Sequence, residues 1–319
     1  MEHIFKKFST FIILIAIITI FSISSSNFLT VNNILNVLRQ VSVISILTAG
    51  MTFVIISGGM DLTVGAYLGL TGVIAAKFMS DMGMPIFISI LLTVIIVTFF
   101  GVITGLLIVA LNVSAIVITL GMMTVVRGLA YIISGGLPIY SIPDSIIYLG
   151  QGYILGIPVP VIIMLILVAL MGFILKKSYF GRYIYAIGGN VDAAKLAGIA
   201  VNKIIISLYA ISAFLASIAG IVLSGRISSG APASGTGTEM DVVTAVVIGG
   251  VSVNGGKGTM LGAFLGAVIM GILSNGLTIL NIGEYYQQVV KGIVLILAVT
   301  FDVLANKERI KKVKEAQNG

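Results

Sequence analysis

The sequence predicts an all-α membrane protein, a polytopic bundle of about ten transmembrane helices with both termini in the cytoplasm. Three observations predict it. The chain of 319 residues is 58% hydrophobic and 9% charged, with a mean hydropathy of +1.19. A soluble domain carries about 25% charged residues, so these few charges cannot cover a water-facing surface and the bilayer must be the solvent. Apolar runs of about 20 residues, the length that crosses a bilayer, recur from end to end. Basic residues gather between alternate runs, as they do on the cytoplasmic side of membrane proteins.

The runs are 11–29, 34–57, 61–80, 86–111, 113–134, 157–175, 204–225, 239–253, 258–280 and 286–304. The first follows Lys6 and Lys7 and precedes Ser24-Ser25-Ser26, the order of a cleavable signal peptide. Its continuation to Leu29 gives it the length of a retained span. The eighth is the weakest, because its uninterrupted apolar stretch, Val242 to Val253, is only about 18 Å long as a helix. A kinked segment, or one lining a cavity, is expected there. The expected organisation is a cytoplasmic tail over 1–10, one transmembrane domain over 11–304 and a basic cytoplasmic tail over 305–319.

Charge sets the orientation. With an even number of spans, the inner segments hold Lys6, Lys7, Lys176, Lys177, Arg182, Lys195, Lys203, Lys257, Lys307, Arg309, Lys311, Lys312 and Lys314, which is 13 of 18 basic residues. The outer segments and their edges hold Arg39, Lys77, Arg226 and Lys291 beside Asp81, Asp144, Glu239, Asp241 and Glu284. The net charge of +7 therefore reads as membrane orientation and not as nucleic-acid binding.

Several chemistries are excluded. Without cysteine there are no disulfides or thiolate metal sites. The one histidine, His3, sits in a tail, so no metal cluster or catalytic triad is expected. The turn Asn254-Gly255-Gly256-Lys257-Gly258-Thr259 lacks the spacing of a phosphate-binding P-loop. Candidate acids lie near span ends, which argues against a proton relay.

Polar and small residues in the spans carry the remaining signals. Gly258, Gly262 and Gly266 share one helix face, as do Gly101 and Gly105, and such faces let helix backbones approach closely. Gly58-Gly59 followed by Gly65-Ala66-Tyr67-Leu68-Gly69 is echoed, 197 residues later, by Gly255-Gly256 and Gly262-Ala263-Phe264-Leu265-Gly266. Arg127 falls inside the fifth span, where a charge costs about 2.5–3.5 kcal/mol. It needs a partner, with Glu239, Asp241 or Glu284 as candidates. Asp61 stands at a helix start, where capping is its simplest role.

The segment 176–203 is polar and basic in an otherwise apolar chain. It holds Asp192-Ala193-Ala194 and, after three residues, Gly198. This spacing resembles the loop that ABC importer permeases insert into their ATPases. TFVIISGGMDLTVG at 52–65 resembles a signature of one permease family, with Thr63 in place of serine. GRYIYAIGGN at 181–190 resembles its loop, and GTGTEMDVVTAVVIGGVSVNGGKG, ending at Gly258, its C-terminal signature. The chain from about Asn27 to Val303 is thus similar to the permeases of bacterial ribose-type sugar ABC importers. It departs from other permease families after the loop, where Leu208 is followed by Tyr209 and not proline.

The resemblance implies a non-catalytic multi-pass subunit of the bacterial cell membrane that imports a monosaccharide. Its partners would be a second permease copy as homodimer, a cytoplasmic ATPase and an extracytoplasmic sugar-binding protein. The chain itself would bind no cofactor, ATP and Mg acting on the ATPase. The coupling residues would be Gly181, Arg182, Gly188, Gly189, Asn190, Asp192, Ala193, Ala194 and Gly198. A tryptophan at 188 or an aspartate at 198 should then block docking and leave the permease folded. Gly58, Gly59, Asp61, Arg127, Gly255 and Gly256 form the structural motif. A sugar trades water hydrogen bonds for protein ones as it crosses, so Thr52, Thr119 and Asn275 are candidates for the path, with interhelix hydrogen bonding as the competing reading. A secondary, ion-coupled sugar carrier is the alternative function.

Overall fold

The computed structural model describes the backbone of residues 2–318 and the side chains of 10–300 and 303. The side chains of the two expected tails, His3, Lys6, Lys7 and the basic residues from Lys307 onward included, lie outside the described residues. Among the described residues the chain is helical, with a π-helical turn at Lys77–Asp81, one two-stranded hairpin and an isolated bridge between Ile139 and Gly230. Each apolar run contains a helix: α1 (Glu2–Ser24), α2 (Val31–Ile56), α3 (Val64–Ala76), α4 (Ile86–Leu111) and α5 (Ala115–Ser134). A short helix α6 (Asp144–Gln151) and the strands β1 (Tyr153–Ile154) and β2 (Ile157–Pro158) cross between α5 and α7 (Val159–Lys177). Then come α8 (Tyr179–Gly189), α9 (Val191–Leu196), α10 (Val201–Ile227), α11 (Thr238–Ile248), α12 (Met260–Ile279) and α13 (Glu284–Asn318). Among the described residues six helices, α2, α4, α5, α7, α10 and α12, are long and apolar enough to cross a membrane.

Local chemistry sets the helix ends. Pro85 and Pro158 precede α4 and α7, where a missing N–H costs nothing. Asn112, at φ 51°, and Gly135, at φ 66°, end α4 and α5 in the left-handed conformation that closes helices. Ser178, Asn190 and Thr259 cap α8, α9 and α12 by accepting the N–H groups of Gly181, Ala193 and Gly262.

α2 is the central helix, buried without a break from Val41 to Ile56. It packs on α7, α10, α11 and α12. α4 and α10 lie so close that a side-chain carbon on Gly105 would stand 2.7 Å from Ile206 Cα, and Gly101 has no more room against Ala213. Gly262 and Gly266 leave the same lack of space against Gly249 and Ala245 at the end of α11. Gly262 and Gly266, like Gly101 and Gly105, therefore pack within the chain, whereas Gly258, expected on the same helix face, lies before α12 in the turn at φ 144°.

The eighth run, 239–253, is a broken element. α11 has 11 residues, about 16 Å at 1.5 Å per residue. Non-helical backbone over 230–237 precedes it, and Gly249-Gly250 end it. That backbone runs along α3, all of whose residues are buried. Carbonyls of Pro232 and Ser234 would meet a side-chain carbon on Gly69 at 2.8 and 2.9 Å, and Gly235 lies against Gly65. The face Gly65, Gly69 and Gly72 of α3 is thus a groove for an irregular strand.

Candidate coupling and translocation site

Most of the expected loop 176–203 is helical. α8 is amphipathic: Gly181, Ile184 and Ile187 are buried, and Tyr179 and Arg182 are exposed, with the guanidinium 4.2 Å from the Tyr179 ring centroid. Gly181 has no room for a side chain against the Leu175 carbonyl. Asn190 turns the chain into α9 by capping Ala193. On α9, Ala194 is buried with Ile187 and Val201 in a small apolar cluster. Asp192 and Lys195 pair at 3.6 Å in solvent. Leu196 is 90% exposed, an apolar knob on a charged helix. Gly198 follows at φ +79° with open space around it, and its N–H donates to the Lys195 carbonyl at 2.9 Å.

Gly188 has a different role from Gly198. Its Cα is wedged between the Ile56 carbonyl at the end of α2 and the Gly256 N–H. That N–H donates to the Ile56 carbonyl at 2.8 Å. Gly255, at φ +79°, would bring a side-chain carbon within 3.0 Å of Gly58. Gly58-Gly59 and Gly255-Gly256, the two starts of the sequence echo, therefore meet against α8. Gly189 is exposed. Tyr185 locks the junction from α8 by donating to the Gly258 carbonyl at 2.7 Å. Burial raises its phenol above the ordinary pKa, so it stays a donor. The expected tolerance of a tryptophan at 188 does not fit this geometry: the position faces the protein's own backbone and not a partner.

The expected capping role of Asp61 does not fit: α3 begins at Val64 with Thr63 at its N-cap, and Asp61, two residues earlier, is fully buried. Its Oδ1 accepts from the Thr63 N–H at 3.0 Å and from the Thr63 hydroxyl, and its Oδ2 from Ser212 of α10 at 2.7 Å. The Met60 carbonyl beside it accepts from Tyr209 of α10 and Thr119 of α5. Residues 57–63 are thereby tied to two helices at once. Arg127 of α5 donates to Thr236 Oγ1 at 2.8 Å and lies 3.9 Å from Glu239. Of the three expected partners, Glu239 is the one it meets. Asp241 instead pairs with Lys291 of α13 at 2.7 Å.

Thr52, Thr119 and Asn275 are not brought together. Thr52 is fully buried and donates to Thr48 of its own helix at 2.6 Å. Thr119 reaches Met60 from the buried face of α5. Asn275 exchanges amide hydrogen bonds of 3.0 and 2.9 Å with Asn33, joining α12 to α2. Two features were missed in the sequence. One is Leu196, whose exposure depends on the orientation of α9. The other is the irregular stretch 230–237, for which the cluster of Ala, Pro, Ser, Gly and Thr before α11 was the available signal.

A family model described as branched-chain amino acid transport system / permease component matches residues 33–299. The ribose import permease protein of Haemophilus influenzae is 45% identical over 297 residues, covering 92% of each chain. The ribose import permease protein of Bacillus subtilis is 40% identical over 303 residues, covering 94% of each. The D-allose transport system permease protein of Escherichia coli is 37% identical over 302 residues, covering 94% of this chain and 93% of the relative. No solved structure matches the chain.

Proposed function

This chain belongs to the branched-chain amino acid transport system / permease component family, and from that premise we propose that it carries ribose into the cell. It is the non-catalytic, multi-pass inner-membrane subunit of a bacterial ABC importer for a monosaccharide. The observation that carries ribose is the 40–45% identity to ribose import permeases over 92–94% of the chain. The working complex comprises two copies of this chain, a cytoplasmic ATPase that binds ATP and Mg, and an extracytoplasmic sugar-binding protein. Ten crossings, with both termini and α8–α9 on the cytoplasmic side, satisfy the distribution of lysine and arginine.

In this reading α9 docks in the ATPase. Leu196 and Ala193 supply apolar contact and Asp192 and Lys195 the rim. ATP-driven movement of α9 and α8 reaches α2 and α12 through the junction of Gly188 with Ile56 and Gly256. The secondary-carrier alternative gives these residues no role. The deciding experiment is ribose uptake by proteoliposomes holding the permease, its ATPase and its binding protein. Uptake is expected to require ATP and to persist with ionophores. Uptake driven by an ion gradient without ATP would overturn the proposal.

The path is best sought where irregular backbone meets open surface. Ala233, Thr236 and Gly237 are exposed, and Thr236 meets Arg127 of α5, a helix on which Gly121, Thr124 and Gly128 are also exposed. Residues 230–237 lie along the buried α3, which in this reading is the third span and so at membrane depth. Non-helical backbone there is tolerated against protein or water but not against lipid. A second copy facing this surface across a two-fold axis would enclose a polar path between the two, with Arg127 and Thr236 on its wall. Single cysteines at Thr124 and Thr236 are expected to react with a small thiol reagent in an ATP-dependent way. Those at Thr52 and Asn275 should stay protected. A cysteine at Lys195 should react with an impermeant reagent only after cells are opened. Unreactive cysteines at both 124 and 236 in every nucleotide state would place the path elsewhere.

A further inference from the structure

A cavity of about 840 Å³ opens between α1, α7, α8 and the turn joining α11 to α12. The proposed function leaves it without a role. Its lining mixes two chemistries. Phe11, Leu175, Leu261 and Leu265 supply apolar surface, and Leu261 is 67% exposed. Lys176 and Arg182 add two cations. Among the described residues no carboxylate lines it. Among the described residues neither cation forms an ion pair. The first turn of α12, Thr259 to Gly262, also borders the space, adding the partial positive charge of a helix N-terminus.

An apolar wall beside two unneutralised cations matches an amphiphile with an anionic head. The surroundings fit a membrane interface. α8 buries one face and exposes Tyr179 and Tyr183 on the other, and tyrosines of this kind gather at headgroup level. Exposed Phe173 and Ile166 of α7 continue the apolar wall along the helix axis. A soluble anion would use the cations and leave the apolar wall wet. A zwitterionic lipid would bring a cation of its own toward Lys176 and Arg182.

We propose that this cleft binds an anionic phospholipid, with its phosphate on Lys176 and Arg182 and an acyl chain along α7 and α12. The assignment to the cytoplasmic leaflet rests on the orientation proposed above. Basic pockets between helices on that side are suited to such headgroups.

The test uses the full-length permease purified with its ATPase in mild detergent. Phosphatidylglycerol and phosphatidylethanolamine retained per permease are measured by mass spectrometry. K176Q and R182Q are each expected to lower phosphatidylglycerol affinity roughly fivefold, with phosphatidylethanolamine unchanged. K203Q, outside the cavity, should retain the wild-type amount. A second readout needs no variant: phosphatidylglycerol should raise the melting temperature of the wild-type complex more than phosphatidylethanolamine does. Unchanged phosphatidylglycerol in the K176Q/R182Q double variant would overturn the site. Displacement of phosphatidylglycerol from the wild type by inorganic phosphate would overturn the lipid assignment. Reaction of a cysteine at Lys195 from outside intact cells would refute the leaflet and the orientation. The lipid measurements do not depend on that result.

Discussion

Replacing Leu196 by aspartate is expected to stop ribose uptake while the permease still folds and inserts. Leu196 is 90% exposed at the tip of α9, so its removal takes nothing from the permease core. A large apolar side chain held in water on a short rigid helix has the character of an interface anchor. Anchors of this kind cost about 2 kcal/mol or more when lost, roughly 30-fold in affinity. Aspartate adds the expense of a charge in a pocket built for leucine. The checks are permease yield, ATPase co-purification and ATP-dependent uptake, measured on the same preparation. Normal co-purification together with normal uptake would remove α9 from the coupling path.

Gly188→Trp is expected to have an equally large effect of another kind: loss of the folded permease itself. One added carbon on Gly188 already collides with the Ile56 carbonyl and stands 2.5 Å from the Gly256 nitrogen. Overpacking by single carbons costs about 1–3 kcal/mol. An indole cannot be housed against two backbones whose hydrogen bond it would have to break. The expected result is a sharp fall in monodisperse protein after solubilisation and a lowered melting temperature, with G188A intermediate. Leu196→Asp run beside it separates a folding defect from a docking defect. A Gly188→Trp permease with wild-type yield and melting temperature would refute the close packing of α2, α8 and the 255–256 turn.

The sequence was most legible where apolar length and helix punctuation decide the outcome. Pro85 and Asn112 bracket α4, and the run 86–111 was read with both ends in place because little else competes there. The segment 176–203 was legible as residues that cap, turn and carry charge: Asn190, Asp192 and Gly198 have local structural roles that spacing reveals. Roles set by long-range packing were not legible. Gly188 and Gly198 look alike in sequence, yet one is pinned against α2 and the other stands in open space. Thr52, Thr119 and Asn275 share a polar character that says nothing of direction. In the fold each hydrogen-bonds to a different neighbour, and the polar atoms that open to a surface belong to Thr124 and Thr236. The eighth run was recognisably short, but its complement, the strand in the glycine groove of α3, depends on a partner helix about 165 residues earlier.

The meeting of Gly58, Gly188 and Gly255 also determines how stiffly motion passes through the protein. Most helix contacts are cushioned by side chains that can change rotamer and absorb a small displacement. At this junction backbone touches backbone, with the Ile56 carbonyl bonded to Gly256 at 2.8 Å and no rotamers in between. A shift of α8 therefore has no play to take up before α2 and the start of α12 must follow. In the proposed mechanism the joint would act as a rigid linkage and not as a spring, and a short stroke delivered at the membrane surface would be spent in moving helices.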